Sequence, residues 1–135
     1  KGKKSVDFVE AQAKKYKHEM MYMPIIDINK PAGQKLFRQY ISKNIVPLAY
    51  EVCWQQNSPE VEKCMKDILA QNSKIWVNTL WPSLCGGEEA CIYDDYAFEH
   101  GAEAYQKVLD LGTSIIQTDR PELLIGYLKK IGRHE

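Results

Sequence analysis

Asp95, Glu99 and Glu103 recur every four residues with His100 among them. On one helix the three carboxylates would line a single face with an imidazole beside it. Such groups can ligate a divalent metal or move protons. A di-metal helical bundle, however, draws its ligands from several helices, typically with a second Glu-x-x-His element. The chain has no companion set. The expectation is therefore a solvated acidic face near a helix N-terminus, where negative charge is favoured. A metal-dependent enzyme using Glu99, His100 and Glu103 is the lesser alternative. His18 lies beside a lysine in a basic stretch and His134 next to the last residue, neither in a catalytic context. Nucleophile elbow, phosphate-binding glycine loop, His-Glu-x-x-His pair and calcium loop are all absent. No catalytic residue, metal site or cofactor is assigned, and the protein is not expected to be an enzyme.

The four cysteines offer different chemistry. Cys53 and Cys64 have ten residues between them, including Asn57-Ser58-Pro59-Glu60, which reads as a helix stop followed by a helix start. Two antiparallel helices would bring the two thiols level. Cys85 and Cys91 bracket Gly86-Gly87-Glu88-Glu89-Ala90, a stretch flexible enough to close a small ring. The spacings match no usual zinc pattern. Local disulfides Cys53–Cys64 and Cys85–Cys91 are expected, with buried free thiols as the alternative. Disulfides persist in oxidising compartments, so a periplasmic or secreted protein is expected with them.

The elements that must position these groups read as helices. Val6, Val9, Ala13, Tyr16 and Met20 form the apolar face of a first helix starting near Ser5, and Pro24 ends it. Ile25 to Lys30 alternates like a strand but has no evident partner, and reads as an extended loop. From Pro31 the stripe Phe37, Ile41, Ile45, Leu48 and Val52 continues through Pro47, which predicts one kinked helix. A third helix is expected from Pro59 to about Leu80, with Val61, Met65, Ile68 and Ile75 on its buried side. A fourth carries Ala97, Gly101, Ala104, Val108, Leu111 and Ile115. A fifth follows an Asp119-x-x-Glu122 cap, with Leu124, Leu128 and Ile131 buried. The predicted fold is all-α: a compact bundle of about five helices, residues 1–135 in a single helical domain, with residues 1–4 disordered or extraneous. Trp54, Trp76, Tyr40 and Tyr50 are expected in its core.

With 135 residues and eighteen basic against eighteen acidic side chains, nothing in the bulk charge calls for nucleic acid. No apolar run is long enough for membrane insertion. The charges are nevertheless segregated. Six lysines fall in the first eighteen residues, and from Leu84 to Gln106 there are six acidic residues and no lysine or arginine. That asymmetry suits protein association. The expected function is an exported protein that binds another protein, such as an inhibitor, an immunity protein against a toxic enzyme, or an adaptor. A carrier holding a small hydrophobic ligand in a bundle cavity is the alternative. The expected working surface is the Cys85–Cys91 ring. Glu88, Glu89, Asp94 and Asp95 would face an enzyme's basic cleft, and Trp81, Leu84, Ile92 and Tyr93 would serve as apolar anchors. The small residues Ala97, Gly101 and Ala104 would also let the fourth helix pack closely against a twin in a homodimer.

Overall fold

Three helices begin on a proline at their first position, where a missing N–H costs nothing: α2 (Pro31–Ser42), α3 (Pro59–Ala70) and α6 (Pro121–Lys130). α1 (Val6–Lys15) begins on Ser5, whose hydroxyl accepts the Phe8 N–H at 3.3 Å. Two shorter helices, α4 (Asp94–His100) and α5 (Tyr105–Asp110), complete the set. The computed structural model describes residues 1–135, and between its helices it places four strands. These are β1 (Ile25–Asp27), β2 (Ala49–Cys53), β3 (Lys74–Asn78) and β4 (Thr113–Gln117). All pair in parallel, in the order β1-β2-β3-β4. The protein is mixed α/β, and the expected all-α bundle is wrong.

The expected long helices are helix–strand pairs. The chain leaves α2 at Ser42, before Pro47, and Asn44 takes a left-handed conformation (φ 52°) that redirects it toward β2. There is no kinked second helix. Asn72 (φ 63°) does the same between α3 and β3, and Gly112 (φ 84°) between α5 and β4. A left-handed residue after a helix satisfies its last carbonyls and turns the chain out of the helix. The segment read as a loop, Ile25 to Asp27, is a strand whose partner is β2.

Consecutive parallel strands joined by right-handed crossovers put their helices on one face of the sheet. Ile26, Tyr50, Val52, Ile75 and Val77 accordingly point outward into a core with Phe37, Tyr40, Met65, Ile68 and Val108. Ile116 joins this core to a second cluster, Tyr105, Leu109, Leu124 and Tyr127, under α6. Tyr40, Tyr50 and Trp54 are fully buried. Ala97 and Ala104 belong to the second cluster, and the helix between them stops at His100. The small-residue stripe therefore serves the protein's own interior and is not an exposed face for a twin.

Neither expected disulfide forms; all four cysteines are free thiols. Cys53 sits on β2 facing away from the helices, whereas Cys64 lies on α3 within the helix-side core, so the sheet separates them. The Cys85 and Cys91 thiols donate instead to carbonyls of their own turns, Trp81 O at 3.4 Å and Glu88 O at 3.5 Å. Export loses the support it had from the cysteines. Alkylation in denaturant without reductant should modify all four cysteines, read by intact mass; two or fewer adducts would restore a disulfide.

Candidate functional site

Side chains alternate along a strand, so the residues that do not face the helices face the other side of the sheet. Register aligns them in rungs. One rung holds Ile25, Glu51, Trp76 and Ile115; the next, at the C-terminal ends, holds Asp27, Cys53, Asn78 and Gln117. Below both, toward the N-terminal ends, lie Met21, Tyr22, Met23, Leu48 and Ala49, which with Trp76, Ile115 and Lys1 line a largely apolar hollow of about 320 Å³. The helix-free face is thus apolar at its base and polar at its rim. Glu51, Cys53, Asp27 and Asn78 are buried although no helix covers them. Neighbouring side chains help to cover them, among them Lys1 over Glu51 and Lys30 and Gln55 over Asp27.

Lys1 bridges this surface. Gly2 pairs with Pro24, with Ile25 N–H donating to Gly2 O at 2.8 Å, so residues 1–3 extend the sheet beyond β1. From that edge the Lys1 ammonium reaches Glu51 Oε2 at 2.7 Å and Gln117 Oε1 at 3.0 Å, and lies 4.7 Å from the centre of the Trp76 ring. Asn78 Nδ2 approaches the other Glu51 oxygen at 3.5 Å. The Glu51 side chain is only 5% exposed. Burying a carboxylate is costly, and Lys1 compensates it. Above them Asp27 receives Lys30 at 2.8 Å and the Gln55 side-chain amide at 3.2 Å. Burial first, then Glu51 and Asp27, pushes the Cys53 thiol up to about 11. It is a neutral wall of the site, not a nucleophile.

The loops after β3 and β4 are locked together by Asp94. Its Oδ1 accepts from the hydroxyls of Thr79 (2.7 Å), Thr118 (2.8 Å) and Tyr105 (2.9 Å), and its Oδ2 from the Asp119 N–H at 2.6 Å. Asp94 is 2% exposed and serves the fold. Of the other residues expected at a partner-binding ring, Trp81, Glu88, Glu89 and Asp95 are exposed, Leu84 and Tyr93 are half-buried, and Ile92 belongs to the core. Glu88 accepts the Tyr93 hydroxyl, and Asp95 pairs with Arg120 at 2.9 Å.

The helical row Asp95, Glu99, His100 and Glu103 is not a unit. α4 ends at His100, whose ring stacks on Tyr96, and Glu103 pairs with Lys130 at 2.9 Å. No group of three or more His, Cys, Asp or Glu side chains converges as a metal site.

A one-sided sheet of sequential parallel strands, with helices outside and polar groups at the carboxyl ends of the strands inside, is the arrangement of a (β/α)-barrel segment. The chain belongs to the family DUF4996, a domain of unknown function, whose model matches residues 22–128. Comparison with curated proteins returns no match.

Sequence reasoning missed Lys1, Asp27, Glu51, Asn78 and Gln117. For Asp27, Asn78 and Gln117 the signal was a polar residue closing a short apolar run, Ile25-Ile26-Asp27, Ile75-Trp76-Val77-Asn78 and Ile115-Ile116-Gln117, whereas Lys1 and Glu51 carry no such signal.

Proposed function

We propose that this chain forms an active-site wall of a barrel-type enzyme acting on a small anionic substrate. The reading rests on one observation: an ion pair, Lys1 with Glu51, held among Trp76, Asn78 and Gln117 on the helix-free face of the sheet. Barrel enzymes place their catalytic groups at this end of the strands and often hold a phosphate there, which favours organic phosphates as the substrate class; that part is analogy of fold. Lys1 would balance the negative charge of the substrate, and Glu51, freed from Lys1 as the anion binds, would take a proton from an attacking water and return it to the alcohol that leaves as the ester bond breaks. Asn78 and Gln117 would orient the substrate by hydrogen bonds.

The test is turnover of phosphomonoesters, phosphodiesters and carboxylic esters of small polyols by the purified protein. With the responsive class, Glu51→Gln should lower kcat by roughly 100-fold or more, the usual scale for a lost general base. Lys1→Met should chiefly raise KM. No turnover in any class, or wild-type rates in Glu51→Gln, would overturn the reading.

A further inference from the structure

We infer that the cavity between α1 and the turn into β2 binds a small uncharged molecule, mainly apolar, with one oxygen that accepts a hydrogen bond from Tyr40. The cavity lies toward the N-terminal ends of the strands, and the inference does not rest on the enzyme reading.

The cavity measures about 520 Å³. Val9, Ala13 and Tyr16 of α1 form one wall, and Ile45 and Val46, on the way from α2 to β2, form another. Met21 and Leu48 are its border with the hollow on the helix-free face. A space of this size, lined chiefly by apolar side chains with a few polar groups among them, is the usual form of a small-molecule site.

Tyr40 supplies the polar group. It is wholly buried, with its ring edge-on to that of Tyr50 at a centroid distance of 5.8 Å. Tyr50 donates its hydroxyl to Gln71 Oε1 at 2.9 Å, whereas the Tyr40 hydroxyl has no hydrogen-bond partner within the chain. Tyr40 lines the cavity, so a molecule held there can supply the missing acceptor. Leaving a buried hydroxyl unpaired is costly, and a ligand oxygen removes that cost. Burial first, and Tyr22 second, pushes the Tyr40 pKa up, which keeps the hydroxyl protonated as a donor.

The lining also selects the charge of the ligand. No carboxylate borders the cavity, so nothing there would hold a cation. Of its two lysines, Lys1 is paired with Glu51, and the Lys4 ammonium lies 5.3 Å from the centre of the Phe8 ring. An anionic group brought to Tyr40 would shed its water against a neutral hydroxyl, which is unfavourable. An alcohol, a phenol or a carbonyl compound meets these conditions, its oxygen on Tyr40 and its apolar body between the two walls.

The test is an NMR titration of the 135-residue chain with benzyl alcohol and with toluene, which lacks the oxygen, followed at the amides of α1 and of the turn into β2. Benzyl alcohol should shift these amides saturably at millimolar concentration. Tyr40→Phe should weaken benzyl alcohol about fivefold, the scale of one neutral hydrogen bond, and leave toluene unchanged. The same variant should melt no lower than wild type, since the hydroxyl it loses has no partner. Ala13→Leu fills the wall with a good helix former and should abolish the binding of both compounds. The inference is overturned by an absence of saturable shifts, by equal affinity for benzyl alcohol in Tyr40→Phe, or by undiminished binding in Ala13→Leu. A Tyr40→Phe protein that melts several degrees lower would also overturn it, because water would then already pair the hydroxyl.

Discussion

Replacing Asp94 with alanine is expected to destabilise the protein by about 4 kcal/mol, the scale for removing a buried charged acceptor and leaving its donors unpaired. Three hydroxyls and one backbone N–H converge on this carboxylate, and its own N–H donates to Thr79 O at 2.8 Å. Those partners lie at the end of β3, on α5 and after β4, so the loss separates three parts of the chain at once. For a chain of this length the melting temperature should fall by roughly 10 °C or more. Asp94→Asn should cost only about half as much, because the amide oxygen can still accept the hydroxyls while its NH₂ cannot accept the Asp119 N–H. Thermal unfolding followed by far-UV circular dichroism measures both. An alanine variant within a few degrees of wild type would show that water replaces the carboxylate, and that the loops are held by their other contacts.

Gly33→Ala is expected to be nearly as damaging for a different reason. Gly33 sits in the first turn of α2, and a Cβ there would lie 2.0 Å from the backbone oxygen of Asp27 and 2.6 Å from its carbonyl carbon. Backbone cannot rotate aside, so α2 must lift from β1 or the β1 end must shift. A cost of about 3 kcal/mol, the upper part of the overpacking range, is expected from urea unfolding. Asp27 moves with the strand end, so its contacts with Lys30 and Gln55 should loosen as well. A Gly33→Ala protein as stable as wild type would mean that the helix can slide without strain.

The helix starts were legible in the sequence and the strands were not. Pro31 and Pro59 marked two helices correctly, and Ser5 marked a third, because a proline in the first turn and an N-terminal hydroxyl act locally. β1 showed alternation but no evident partner, and the other strands were lost because buried parallel strands are nearly continuous apolar runs. Any step of three or four residues therefore lands on an apolar side chain. Ile41, Ile45, Leu48 and Val52 cross from α2 to β2 in apparent helical register, and Val108, Leu111 and Ile115 cross from α5 to β4. The stop signals were the left-handed residues Asn44, Asn72 and Gly112, each followed by a run containing branched residues. Without strands, Lys1, Asp27, Glu51, Asn78 and Gln117 were isolated polar letters spread over more than a hundred residues. Only parallel pairing brings them to one surface. The cysteine inference failed for the same reason: a predicted helix–helix turn at Asn57-Ser58-Pro59 is a strand–helix turn, which sends Cys53 and Cys64 to opposite sides of the sheet.

The unbroken order β1-β2-β3-β4 bears on how the chain reaches this structure. Every strand's neighbour in the sheet is its neighbour in sequence, so no pairing must wait for a distant segment, and the loop-closure entropy of each step stays small. Each helix–strand unit can dock on the one before it as the polypeptide leaves the ribosome. The Asp94 cluster is the exception in timing, because Thr118 and Asp119 arrive only with the last strand. Until then its carboxylate stands without those two donors, which makes the final unit the one that latches the rest.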